Sequence, residues 1–235
     1  MARRIPEDRF HELIQAATAV FLEKGYQRTQ MSDVADRLGV AKGTVYLYVE
    51  SKEALFEAVL ENADAADRLA TPAKLPIATP RPGSTLRKLR SRLEAGGSLA
   101  ALAAALGRRR VTDARGELEA IVRELYAMLS SHRIGIKLLD RCAADYPELA
   151  SLWFGASGRM GLLALLERYL ADRARRGVLR PQRDVSISAR MVLETTVYWA
   201  VHRHWDASRQ AFDESAVEAS TVDFVAHALL GEESP

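Results

Sequence analysis

The sequence predicts an all-α protein in two parts: an N-terminal domain of three to four short helices containing a helix-turn-helix, and a larger C-terminal helical domain. Three observations predict it. Apolar residues recur at three- and four-residue spacing along most of the chain, no alternating run is long enough for a sheet, and one proline-rich stretch interrupts the helical pattern. That stretch, TPAKLPIATPRPGST, carries prolines at 72, 76, 80 and 82, so neither a helix nor a central strand can persist through it. The expected division is therefore 1–70, a linker or flap at 71–85, and 86–235.

The elements follow in order. Phe10, Leu13, Ile14, Ala17, Val20 and Phe21 fall on one face of a first helix, which Gly25 ends after Lys24 in the last turn. Ser32 is placed to cap a second helix, MSDVADRL, with Val34, Ala35 and Leu38 inward and Asp33 in its electropositive first turn. Gly39 ends it, and a third helix is expected from Lys42 and Gly43 through Val49, giving a helix-turn-helix over about 30–49. Ser51 and Glu53 open a fourth with Leu55, Phe56, Val59 and Leu60 along one side. Beyond the prolines, helices are expected at roughly 86–106, 113–131, 133–145, 147–177, 185–205 and 213–231. Gly96 and Gly97 interrupt the first of these, and Pro147 suits a first-turn position.

Composition excludes several classes. Hydrophobic residues at 48% and charged residues at 27% describe a folded globular chain, and no apolar run approaches a membrane span. The start, MARRIPEDRFHEL, offers no apolar block for a signal peptide, so the expected location is cytoplasmic. The single cysteine, Cys142, reads as a small buried hydrophobe. Five histidines lack metal-site spacing, and neither GxSxG nor a phosphate-binding loop occurs in its required context, so no enzyme, metal or cofactor is expected. A net charge of +2 does not announce nucleic acid, and residues 1–60 hold 8 Lys and Arg against 9 Asp and Glu. Binding to DNA would have to come from where the charge sits.

The third helix supplies that placement. Val45 and Val49 can pack inward, leaving Lys42, Gly43, Thr44, Tyr46, Leu47 and Tyr48 for the remaining surface. Gly43 lets backbone approach closely, lysines at 42 and 52 bracket the helix, and tyrosine hydroxyls on rigid rings can reach phosphate oxygens. The stretch AATAVFLEKGYQRTQMSDVADRLGVAKGTVYLYVESKEALFEAVL resembles the TetR family of transcriptional repressors from Phe10 through Phe56. It has Phe-x-x-x-Gly-Tyr, Val-Ala in the short helix, Gly-Val-x-Lys-Gly-Thr-x-Tyr and Ser-Lys-Glu-x-Leu. The resemblance implies an N-terminal DNA-binding domain and a C-terminal domain that dimerises and binds a small effector. It carries DNA contact onto Thr29, Gln30, Ser32, Lys42, Gly43, Thr44, Tyr46, Tyr48 and Lys52, with Thr44 and Leu47 as base-edge candidates. The sequence departs from the family pattern at Ala41, where serine is common and would cap the helix, at Val49, where phenylalanine is common, and at Leu47. Arg3 and Arg4 could extend a basic arm onto neighbouring DNA.

The last two helices are the dimer-forming pair that the resemblance implies. Met191, Glu194 and Tyr198 on the first, with Val217, Thr221 and Phe224 on the second, are the candidate interface, and a four-helix bundle across a two-fold axis would bury them. Tyr126, Cys142, Trp153 and Trp199 could line a mainly apolar effector cavity, with Arg159 or His202 as its polar handle, and simple bundle core is the alternative for each. The expected function is a DNA-binding regulator, a ligand-responsive repressor that binds an inverted-repeat operator as a homodimer. The alternative is a helical DNA-associated or protein-interaction module with no small-molecule effector.

Overall fold

A computed structural model describes residues 9–65, 69–96, 99–208 and 210–230. The expectations on Arg3, Arg4 and Gly97 lie outside them. Helices run α1 (Arg9–Lys24), α2 (Met31–Leu38), α3 (Lys42–Val45), α4 (Lys52–Asn62), α5 (Ser84–Gly96), α6 (Ala100–Gly107), α7 (Ala114–Ser131), α8 (Arg133–Ala143), α9 (Pro147–Trp153), α10 (Arg159–Arg175), α11 (Val185–Ala200) and α12 (Glu214–Leu229). Among the described residues, β-structure amounts to one isolated parallel bridge, Val49 to Ile77. The all-α expectation holds.

Packing divides the chain into two units elsewhere than at 71–85: residues 1–92 with 134–153, and residues 93–133 with 154–235. In the first unit, α1, α2 and α4 enclose Leu13, Val34 and Leu55 around an aromatic cluster. Phe21 meets Phe56 edge-on at 5.1 Å, and Tyr26 lies 4.8 Å from both Phe56 and Tyr146. Tyr146 belongs to the 134–153 segment, which joins this unit by specific bonds. The Asp145 carboxylate accepts from the backbone N–H groups of Tyr26 and Gln27 at 3.1 and 3.2 Å, and Arg141 donates to the Glu23 carbonyl at 2.9 Å. The Asp64 carboxylate caps the start of α8, accepting from Ile134 at 2.8 Å and Gly135 at 3.0 Å. Gly25 is constrained twice: its φ is +81°, and a Cβ there would stand 2.5 Å from the Asp145 carboxylate.

In the second unit, α7 and α11 are central, with α6, α10 and α12 against them. Asp113, Asp184 and Asp213 cap α7, α11 and α12, each accepting from the backbone N–H three residues on. The core carries an ion pair: Arg173, fully buried, donates from Nε to Glu117 at 2.7 Å and from Nη2 to the Ala105 carbonyl at 2.5 Å. Burial pushes up the hydroxyl pKa of Tyr169, with adjacent Glu117 adding to it.

Several elements depart from expectation. The third helix was expected through Val49, but the α-helix ends at Val45, and three-residue backbone bonds from Leu47 to Thr44 and Tyr48 to Val45 carry the chain onward. Ser32 is not the cap of α2: that helix starts at Met31, Gln30 holds the cap position, and the Asp33 carboxylate accepts from the Gln30 N–H at 2.8 Å. The helix expected over 147–177 is broken at 154–158, where FGASG supplies two glycines, although Pro147 does open α9. The helix over 185–205 tightens into a 3-10 turn from His202 to Trp205. Ser51 caps α4 as expected, accepting from Ala54 at 3.2 Å.

Candidate nucleic-acid interface

The helix-turn-helix is built from α2, a turn and α3. Gly39, at φ +69°, donates back to the Ala35 and Asp36 carbonyls and reverses the chain in the left-handed region that glycine tolerates. Asp33 is held by Lys24 at 2.7 Å and by the Gln30 N–H, and both lower its carboxyl pKa. Ala41 occupies the cap of α3 with extended backbone and no side-chain bond, the consequence expected of an alanine there.

Beyond that turn, burial sorts the residues. Val45, Tyr48 and Val49 are buried, while Lys42 and Gly43 are exposed, Thr44 is half-buried, and Tyr46 and Leu47 are 41% and 49% exposed. A Cβ built on Gly43 would meet nothing within 4 Å, so this face is open to an approaching partner. Lys42, Gly43, Tyr46 and Leu47 are thus the exposed residues of this short segment, and Gln30 is exposed at the start of α2.

Three expected contact residues are placed differently. Tyr48 is 2% exposed, and burial raises its hydroxyl pKa; the tightened turn aligns it with buried Val45, so it supports the exposed segment from beneath. Thr29 is buried, and its hydroxyl donates to the Gly25 carbonyl at 2.6 Å. Lys52 donates to the carbonyls of Tyr26 and Gln27 at 3.1 and 3.2 Å and sits 4.6 Å above the Tyr26 ring, so it ties α4 to the loop after α1. Ser32 is half-buried within the first turn of α2. The sequence reading missed Asp145, whose partners lie 119 and 118 residues away, beyond any local signal.

The effector candidates fall in both units. Cys142 and Trp153 belong to the first: the thiol is buried and its pKa pushed up to about 12, and Trp153 donates to Asp140 at 2.7 Å. Tyr126, Arg159, Trp199 and His202 belong to the second. Tyr126 is buried, and Arg159 pairs with Glu194, one of the dimer candidates. Of the other dimer candidates, Met191, Tyr198 and Phe224 are exposed, whereas Val217 and Thr221 are buried within their own unit. Trp199, Phe212, Ala216, Thr221 and Phe224 help line an open groove of about 480 Å³ along α11 and α12.

Among the described residues no group of three or more His, Cys, Asp or Glu could hold a metal ion, and no helix is long and apolar enough to cross a membrane. The fold and this surface define a helix-turn-helix protein with a larger helical companion unit. Residues 13–59 match the family described as bacterial regulatory proteins, tetR family. Over 54 residues it is 43% identical to the HTH-type transcriptional regulator YvdT of Bacillus subtilis (strain 168), covering 23% of this chain and 28% of that one. Over 59 residues it is 42% identical to the HTH-type transcriptional activator FasR of Mycolicibacterium smegmatis, covering 25% and 27%. The matched stretch thus spans about a quarter of these relatives' length. The fold extends further: the ketosteroid transcriptional regulator KstR2 of Mycobacterium tuberculosis aligns over 97% of this chain and 98% of its own, with a TM-score of 0.57 at 17% identity.

Proposed function

We propose that this protein is a ligand-responsive transcriptional repressor that binds an inverted-repeat operator as a homodimer. The observation that carries the reading is the exposed set Lys42, Gly43, Tyr46 and Leu47, with half-buried Thr44 among them, mounted on buried Val45, Tyr48 and Val49. A short rigid segment of this kind suits a major groove: polar groups and a lysine position it on phosphates, and Thr44 and Leu47 face base edges. Dimerisation rests on the α11 and α12 face, where large hydrophobes and the small residues Ala216 and Ser220 suit close approach by a second copy. Two-fold symmetry then presents two reading segments to half-sites about 34–36 Å apart. A small, largely apolar effector held by the second unit would favour a conformation with lower DNA affinity. The buried Nε of Arg159, which has no hydrogen-bond partner, supports a polar handle there.

The test is fluorescence anisotropy on DNA flanking the protein's own gene and on sites selected from a random pool, using wild type, Tyr46→Ala and Leu47→Ala. Sequence-selective binding by wild type that is at least about tenfold weaker in both variants, with the preference itself relaxed in Leu47→Ala, is the expected result. A wild type that selects no sequence from the pool overturns the reading. A thermal-shift screen of apolar compounds then tests the effector, and a uniformly negative screen would favour the protein-interaction alternative.

A further inference from the structure

We infer that the proline-rich segment at 71–83 and the start of α5 form a second DNA-contacting element, a basic clamp on the phosphate backbone beside the reading segment. The inference rests on the DNA-binding reading above. It begins from a shortage of charge. The family-matched residues 13–59 contain five Lys and Arg against six Asp and Glu. Lys24 is engaged by Asp33, Arg37 by Glu23, and Lys52 by two carbonyls, which leaves Arg28 and Lys42 for a polyanion. Helix-turn-helix affinity draws heavily on phosphate neutralisation, and two cations supply little of it.

The missing charge lies just beyond the matched stretch. Residues 69–93 hold six Lys and Arg and no Asp or Glu. Two of the six fasten the element: Lys88 pairs with Glu57 at 2.6 Å and Glu61 at 3.3 Å, and Arg92 donates to the Leu60 carbonyl at 2.8 Å, joining α5 to α4. The other four, Lys74, Arg81, Arg87 and Arg90, are exposed and make no ion pair among the described residues.

The backbone holds the first two of these, Lys74 and Arg81, next to the reader. Ile77 donates to the Tyr48 carbonyl at 2.7 Å and accepts from the Glu50 N–H at 3.0 Å, and Thr79 donates to the Glu50 carboxylate at 2.8 Å. Lys74 and Arg81 stand three and four residues from Ile77, so their Cα atoms lie at most about 11 and 14 Å from that clasp. Pro80 and Pro82 flank Arg81 and restrict its backbone, which lowers the entropy cost of ordering it on DNA. The same pairing engages the Glu50 carboxylate with the Thr79 N–H.

The test compares the full-length wild type with Lys74→Ala/Arg81→Ala/Arg87→Ala/Arg90→Ala, with Tyr46→Ala, and with a charge control, Arg180→Ala/Arg183→Ala. Anisotropy is recorded across a salt series on selected sites and on random DNA. Each lost phosphate contact flattens the slope of log K against log salt by about 0.9. The four-site variant should therefore lose about 3 to 4 from the slope and bind at least about tenfold more weakly on both DNAs, keeping its sequence preference. Tyr46→Ala, which removes no charge, should instead weaken binding with little change in slope. A four-site variant with the wild-type slope, or one no different per charge from the control, overturns the clamp while leaving the DNA reading intact. Absence of DNA binding by wild type overturns both.

Discussion

The first unit closes on a cluster of aromatic rings and exposes a short reading segment, whereas the second buries an arginine and shows hydrophobes. Phe21, Tyr26 and Phe56 close the first core, and the surface around α3 presents mostly short or polar side chains. In the second, Arg173 and Glu117 lie inside, while Met191 and Phe224 stand 64% and 65% exposed. Ring burial contributes area without direction, whereas a buried ion pair contributes little net stability but fixes which helix faces which. A concentrated exposed apolar face, in turn, calls for a partner. The difference teaches that the first unit closes around one short exposed segment, whereas the second leaves on α11 and α12 an apolar face that the proposed dimer would cover.

The largest effect expected breaks the second unit's interior. Glu117→Ala would leave the buried Arg173 guanidinium with Asp172 as its remaining acidic partner and should cost about 3 kcal/mol of stability, read by urea unfolding. Glu117→Leu with Arg173→Met should recover most of that loss. If Glu117→Ala melts like wild type, the ion pair does not organise this core. Next in size is the exposed face. Phe224→Asp puts a charge into the groove and should weaken dimerisation by at least about 2 kcal/mol, some thirtyfold, in sedimentation equilibrium, with the protomer's fold unchanged by circular dichroism. Unaltered self-association would remove the face from the dimer.

How legible each part was in the sequence follows the same division. The helices of the reader, the Ser51 cap and the glycine turns at 25 and 39 are written in local chemistry, so the sequence placed them. The inward Tyr48 was misassigned: it stands three residues after buried Val45, beside the inward face of any helix drawn there, and the tightened backbone after Val45 aligns the two more closely. The membership of α8 and α9 was not legible. Their apolar spacing says that one face is buried but not against what, and Asp145 and Tyr146 find partners more than a hundred residues away. A charged residue on a helix likewise reads as solvent-facing, so Arg173 gave no sign of its buried carboxylate.

Asp145 offers a sharper, smaller test of that long-range attachment. Asp145→Asn keeps the shape but offers one acceptor oxygen where the carboxylate offers two, so one of the bonds from the Tyr26 and Gln27 N–H groups is lost, at about 1–2 kcal/mol. Faster amide exchange at residues 25–29 and 141–146 together would show that the two stretches open as one body. Faster exchange confined to one of them would show that the stretches are independent.

The smallest effect concerns the cap of α3, where a change should stabilise. Ala41 has the extended backbone of a helix cap, at φ −67° and ψ 143°, and its carbonyl already accepts from Thr44, but its methyl leaves the first N–H groups without a side-chain acceptor. Ala41→Ser should add about 0.5–1 kcal/mol, seen as slower exchange at Gly43 and Thr44. Because α3 is a single turn, that gain is large against the segment's own opening free energy while barely moving the melting temperature of the chain. Its reach into function separates two roles for the missing cap. If the first N–H groups, those ahead of Thr44, are open in order to meet a phosphate, the serine competes with DNA and weakens binding as it steadies the turn. If they serve only the helix, binding tightens along with the slower exchange, and the first unit is simply less finished at this point than elsewhere.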